Sequence, residues 1–195
     1  MTRVGEVERS TTETSVQVRL DLDGSGEAKV STGVGFFDHM LEQLGRHGGL
    51  DLEVKAAGDL HVDSHHTVED VGIVLGAALA QALGEKSSIR RYGWSVVPME
   101  EALVRAALDL SGRPYLAFEV EIPAGRIGNY DPDLTEEFFT ALCRSAGITL
   151  HLKLLSGKNS HHIVEAAFKA VAQALAAAVE IDPRRPGVPS TKGVL

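Results

Sequence analysis

The stretch His65-His66-Thr67-Val68-Glu69 returns later in the chain as His161-His162-Ile163-Val164-Glu165, and each copy opens a long apolar run. On a helix, positions i and i+4 lie on one face, so His65 and Glu69 reach one point and His161 and Glu165 another. The second histidine of each pair is rotated by about 100° and looks elsewhere. Imidazole plus carboxylate on one helical face is a metal-ligand arrangement. One copy alone reads more readily as a polar helix start, capped by Ser64 or Ser160, with a glutamate near the positive end of the helix. The same pattern at the same structural place twice favours ligation, and it marks the chain as a duplication.

Outward from the two motifs, one order of elements appears on both sides. Gly5 to Leu22 reads as strand, with Val16, Val18, Leu20 and Leu22 alternating with Gln17, Arg19 and Asp21. Asp23-Gly24-Ser25-Gly26 is a turn, and Ala28 to Thr32 returns as the hairpin partner. Asp38 to His47 is an amphipathic helix ended by Gly48-Gly49. Leu50 to Lys55 is a strand, Gly58 to Ser64 a polar loop, and His65 to about Leu83 a helix. The pattern restarts near Ser87 to Pro98. Ala102 to Leu110 and Tyr115 to Ile122 are strands about the turn Ser111-Gly112-Arg113-Pro114. Leu134 to Ser145 is a helix, Ile148 to Leu154 a strand, and His161 to about Val179 the last helix.

Counting supports the repeat. Asp21-Leu22-Asp23-Gly24 lines up with Asp109-Leu110-Ser111-Gly112, which sets Glu13 against Glu101. Eleven residues lead from His39 to Leu50, and eleven from Glu137 to Ile148. His39 and Glu137 are therefore counterparts, and both are candidate ligands. The loop before the second motif is two residues shorter. The period is longer than a solenoid repeat, so each copy reads as a half-domain. The expected fold is α+β: a tandem β-β-α-β-α duplication with its helices packed between two small sheets. Residues 1–94 would form the first half, 95–182 the second, and 183–195 a tail that would be a solvated end on its own sequence.

The symmetry suggests how ligands divide. One site would take His65, Glu69, His162 and Glu137, and the other His161, Glu165, His66 and His39. Nitrogen and oxygen donors without thiolate suit Mn, Fe, Co, Ni or Zn. Four protein ligands on a six-coordinate metal leave positions for substrate, which points to catalysis. Asp63 could orient a ligand from behind.

Composition sets outer bounds. A formal net charge of −8 argues against broad nucleic-acid binding. The single cysteine, Cys143, excludes an intrachain disulfide framework and suits a reducing cytoplasm. The chain starts polar, without a signal-peptide pattern. The most apolar run, Val71 to Leu83, is broken by Gly72, Gly76 and Gln81 and is too short to span a bilayer, so no membrane partner is expected.

Five stretches together resemble the imidazoleglycerol-phosphate dehydratase family. They are Gly35-Phe36-Phe37-Asp38-His39-Met40-Leu41, Asp63-Ser64-His65-His66-Thr67-Val68-Glu69-Asp70, Leu108-Asp109-Leu110-Ser111-Gly112-Arg113-Pro114, Gly157-Lys158-Asn159-Ser160-His161-His162-Ile163-Val164-Glu165-Ala166 and Pro189-Ser190-Thr191-Lys192-Gly193-Val194. The resemblance covers nearly the whole chain, in order and spacing. It implies a duplicated half-domain and a lyase of histidine biosynthesis that converts D-erythro-imidazole-glycerol phosphate to imidazole-acetol phosphate and water. It also implies two manganese ions per site, and a homo-oligomeric shell of 24 subunits with sites between subunits. The family's ligand pattern coincides with the division above, although some members carry histidine where this chain has Glu137. Substrate contacts are implied for Glu13, Gln43, His47, Arg91, Arg113, Lys169, Ser190, Thr191 and Lys192, and for the ligands His39, His65, Glu69, His161 and Glu165. Arg91, Arg113, Lys169 and Lys192 make chemical sense as phosphate clamps.

The chemistry explains the need for two cations. The carbon-bound hydrogen to be removed is not made acidic by a carbonyl, so the imidazole ring must supply electrons. A cation at each ring nitrogen would favour imidazolate, which can expel the hydroxyl through a diazafulvene-like intermediate. Glu13, Glu69 or Glu165 would then transfer the proton. Two other classes compete. A two-metal phosphoester hydrolase would use the same ligand types around closer metals. A non-enzymatic metal-binding assembly would give Arg91, Arg113 and Lys192 no role.

Overall fold

The computed structural model describes residues 2–193 and 195; Met1 and Val194 lie outside the described residues, at the start of the first half and in the last of the five stretches. The first half runs β1 (Val4–Ser10), β2 (Thr14–Asp21), β3 (Ala28–Ser31), α1 (Gly35–Gly48), β4 (Asp51–Gly58) and α2 (His65–Leu83). The second repeats it as β5 (Tyr92–Met99), β6 (Ala102–Asp109), β7 (Tyr115–Glu119), α3 (Leu134–Ala146), β8 (Thr149–Ser156) and α4 (Ser160–Val179). The β-β-α-β-α order is present in both halves. The segment expected as one long strand from Gly5 is folded back on itself into β1 and β2, because Thr11 to Glu13 form a turn. The side chain of Thr11 closes that turn, accepting from the backbone N–H of Glu13 at 3.1 Å and of Thr14 at 3.0 Å. β5 opens at Tyr92, three residues ahead of the expected start of the second half at residue 95.

Two four-stranded sheets result, ordered β1-β2-β4-β3 and β5-β6-β8-β7. β3 and β7 correct the sequence reading: each pairs parallel with β4 or β8 and makes no hairpin with the strand before it. Asp51, at the start of β4, draws the turn across. Its carboxylate accepts from the N–H groups of Ser25, Gly26 and Glu27 at 2.8, 3.0 and 2.9 Å. A parallel neighbour needs a crossover element, and α1 and α3 supply it.

The helices lie between the sheets, α2 against α3 and α1 against α4. The core between them is built from positions related by the duplication: Leu20 with Leu108, Leu44 with Leu142, Leu50 with Ile148, and Leu79 with Leu175, all buried. α2 seats on β1, and α4 on β5, at a glycine in each half. A Cβ on Gly5 would fall 1.9 Å from the Ala78 carbonyl oxygen, and one on Gly93 1.8 Å from that of Ala174. α4 is long and apolar enough to cross a membrane, but it is mostly buried here as a core helix.

Candidate functional site

The helix starts that carry the repeated motif are capped differently from the serine caps considered above. Asp63 accepts from the His65 N–H at 2.8 Å, so it holds backbone and not the imidazole it was expected to orient. Asn159 accepts from the N–H of His161 and His162 at 2.9 and 3.4 Å. Neither Ser64 nor Ser160 is the side-chain cap.

On α4, His161, Glu165 and Lys169 form one stripe at i, i+4 and i+8; on α1, His39, Gln43 and His47 form another. The two helices run side by side in the same direction, so the stripes meet. Glu165 is buried, and its Oε2 lies 3.2 Å from His161 Nε2 and 3.8 Å from His39 Nε2. Its Oε1 takes Lys169 Nζ at 2.6 Å. Burial works to raise the Glu165 carboxyl, but the Lys169 hydrogen bond and charge, with His39 and His161, outweigh it and hold the group below the usual range. His47 donates from Nε2 to Gln43 Oε1 at 2.8 Å, and burial, with the nearby Lys169 charge, lowers its basicity. Six residues named from the sequence therefore converge in a single chain.

The odd histidines face elsewhere, as helical phase requires. His162 Nδ1 sits 2.7 Å from Glu101 Oε2, and His66 Nδ1 sits 3.0 Å from Asp59 Oδ2 and 3.7 Å from Glu13 Oε2. Within this single chain His66 stays apart from the His161–Glu165–His39 group. Glu69 and the exposed Glu137 are the counterparts of Glu165 and His39, on packed helices α2 and α3. Among the described residues no ion pair joins either to another side chain, and no three His, Cys, Asp or Glu side chains are arranged to hold a metal ion.

Glu13 is exposed at the β1–β2 turn, and that turn is fixed over the start of α2. Asp70, buried in α2, accepts from Arg9 Nε at 3.0 Å and from the Thr14 hydroxyl, tying both strands to the helix.

Arg91, Arg113, Ser190, Thr191 and Lys192 gather at a different place. With Arg185 they line a cleft of about 750 Å³. The tail does not float free, as its sequence alone suggested. Ile181 bridges to Ile89, Ser88 N–H donates to Gly187 at 2.7 Å, and Arg91 Nη1 donates to the Pro189 carbonyl at 2.9 Å. Sequence reasoning missed Asp59 as a partner of His66; the two extra residues in the loop before α2 were its only signal. It also missed what Glu101 and Asp109 hold.

Comparison with known proteins agrees along the whole chain. A family model described as imidazoleglycerol-phosphate dehydratase matches residues 32–175. Proteins of that name from Acetivibrio thermocellus and a Synechococcus species are 60% and 59% identical, each over 100% of this chain and 100% and 97% of their own lengths. The crystal structure of the Staphylococcus aureus protein of that name superposes with a TM-score of 0.83 at 37% identity, covering 92% of this chain and 99% of that one. One of IGPD from Pyrococcus furiosus gives 0.84 at 39%, covering 97% and 100%. The hydrolase and non-enzymatic readings give way to a hydro-lyase, and the chain belongs to the imidazoleglycerol-phosphate dehydratase family, whose reaction is the dehydration step of histidine biosynthesis.

Proposed function

We propose that this chain converts D-erythro-imidazole-glycerol phosphate to imidazole-acetol phosphate with two Mn²⁺ ions per site, in sites shared between copies of a cytoplasmic homo-oligomer. One observation carries the sharing. His161 stands at the start of α4, while the Arg91 backbone N–H donates to Ala178, near its end, at 2.9 Å. Seventeen residues of helix put roughly 26 Å between them. The substrate spans on the order of 8 Å from ring to phosphorus, at about 1.5 Å per bond. The His161 stripe and the Arg91 cleft of one chain cannot both grip it, so the ring-binding stripe of one copy would meet the Arg91 cleft of another.

The donors suit the metal. They are imidazole and carboxylate without thiolate. Each odd histidine has Nδ1 engaged by a carboxylate, which orients the ring and leaves Nε2 to coordinate. His65, Glu69, His162 and Glu137 would hold one ion, and His161, Glu165, His66 and His39 the other, each set drawn from more than one copy. Bound there, the two ions would supply positive charge to the imidazole ring, which would favour loss of its proton. Gln43 and His47 extend the α1 stripe, and Lys169 keeps Glu165 ionised as a ligand. Glu13, exposed and only 3.7 Å from His66, takes the proton from the carbon next to the one that loses hydroxyl. Glu165 is too firmly held by Lys169 for that task. Arg113, Ser190, Thr191 and Lys192, beside Arg91, receive the phosphate.

The outer sheet faces support assembly, in the number of copies the family resemblance implies, 24. Tyr92, Trp94 and Val96 on β5 are exposed, Trp94 by 74%, where the corresponding positions of β1 are Val4, Glu6 and Glu8. Such an apolar strand face beside a charged counterpart suits contact with another copy. Burial raises the Cys143 thiol to about 12, which suits an inert core cysteine in a reducing compartment.

The test is to incubate the protein with Mn²⁺ and imidazole-glycerol phosphate and follow the acetol product. Chelation should abolish turnover and break the assembly into smaller species by light scattering, because ligands on separate copies lose their common partner. A chelated sample that keeps full activity and its original mass would sink the metal assignment.

A further inference from the structure

Asp109 ends β6, and Asp21 ends β2 at the equivalent position; they lie opposite Tyr92 and Val4 in matching registers. Asp21 does little, accepting the Asp23 N–H at 3.0 Å. Asp109 sits among cations. Its Oδ1 takes Arg91 Nε at 2.7 Å, its Oδ2 takes Arg91 Nη2 at 3.0 Å, and Arg113 Nη2 is 3.7 Å away. Arg91 itself adopts φ 75°, a left-handed conformation rare for a residue with a side chain. Its guanidinium also lies 4.7 Å over the Tyr92 ring and donates from Nη1 to the Pro189 carbonyl. A backbone in that region persists where its surroundings over-determine it, and such places tend to be functional.

We propose that Asp109 is the positioning residue of the phosphate clamp, an inference that rests on the reading of this cleft as the phosphate site. A guanidinium has five N–H donors. Two go to Asp109 and one to Pro189, so two remain free, held in a fixed plane at the cleft. The same carboxylate draws Arg113 toward that plane. Through Arg91 and Pro189 it also sets the tail residues Ser190, Thr191 and Lys192. A carboxylate in an anion site lowers the net attraction, and the return is geometry: a fork that receives phosphate without first being ordered.

The experiment compares Asp109→Asn with Asp21→Asn in the Mn²⁺-loaded assembly. Asp109→Asn should raise KM for imidazole-glycerol phosphate roughly 10- to 100-fold, the size of a weakened charge-assisted contact, with kcat within about threefold of the parent. Inorganic phosphate should bind more weakly by a similar factor in calorimetry, and manganese content should not change. Asp21→Asn should match the parent. In an Arg91→Ala background, Asp109→Asn should add far less than it does in the parent, since only the 3.7 Å approach of Arg113 is left for it to position. The proposal is overturned if KM is unmoved, if both variants shift KM and melting midpoint alike, if the effects of Asp109→Asn and Arg91→Ala simply add, or if Asp109→Asn fails to assemble. Loss of the phosphate reading looks different: Arg113→Ala and Lys192→Ala would then leave KM at the parent value.

Discussion

The two helix starts carry the same five-residue pattern and hold it in different ways. At α4, the hairpin glutamate Glu101 is fully committed. It accepts from His162 Nδ1 at 2.7 Å and from the N–H groups of Asn159 and Lys158 at 2.9 and 3.2 Å. Those bonds hold its carboxyl at about 2. At α2, the loop is two residues longer, and Asp59 from that loop takes the histidine instead. The bond to His66 holds the Asp59 carboxyl below its ordinary range and raises the His66 ring. Glu13, the counterpart of Glu101, keeps only a 3.7 Å approach. The longer loop supplies a second carboxylate at α2, and Glu13 is left without a hydrogen bond to the histidine.

The largest expected effect separates these two glutamates. Glu13→Gln should lower kcat by roughly 10²- to 10⁴-fold, the usual worth of a general acid or base, without moving the melting midpoint. Glu101→Gln should lower the midpoint, because its amide keeps one oxygen for the two backbone N–H groups but turns an N–H donor toward His162 Nδ1, and should affect kcat less. Steady-state rates and thermal melts of both variants decide it. A Glu13→Gln chain that turns over like the parent would end the distinction.

A smaller effect concerns the rings. Asp59→Asn and Glu101→Gln should each weaken Mn²⁺ binding about 10- to 100-fold, as loss of a carboxylate behind a ligand histidine does. The loss should fall on different sites, the first at the metal held by His66, the second at the metal held by His162. Anomalous scattering from crystals at limiting Mn²⁺ resolves the two. If Glu13→Gln weakens the His66 site as much as Asp59→Asn does, Asp59 has not taken over the role.

The smallest effect lies in the tail, which only the second half possesses. Asp182 is buried and bonded to Arg184 Nε and Nη2, both at 2.9 Å, which holds its carboxyl at about 2. A carboxyl lowered in the folded state stabilises above its unfolded value, near 4, and that contribution fades as pH falls toward 2. Asp182→Asn should therefore melt below the parent at pH 7, and the gap should narrow by pH 3. A gap that is constant or widens would show that the carboxylate charge is not what secures the tail.

Much of this was legible in local pattern. α2 matches the segment read from His65 to Leu83 residue for residue, and α1, α3 and α4 differ by a few residues at their ends. The offset between His39 and Glu137 placed them on equivalent helices. The errors were of another kind. Asp23-Gly24-Ser25-Gly26 looked like a hairpin turn because nothing local announces that Asp51, on another strand, closes it. The cleft of Arg91, Arg113 and Lys192 was reached by resemblance, since scattered cations are ordinary surface charge in a single sequence.

The sequence by itself determined which residues share a face: His65 with Glu69, His161 with Glu165, and the odd histidines turned away from both. Those relations follow from helical phase, which is set over a few residues of backbone. Only the tertiary structure decided what each face meets. It laid the α1 stripe against Glu165, gave His66 to Asp59, left Glu13 untied, and set the cleft of Arg91, Arg113 and Lys192 at the far end of α4. Such pairings depend on how loops of different length close and on which buried surfaces fit, and a glutamate carries no local mark that says whether it will be held or free.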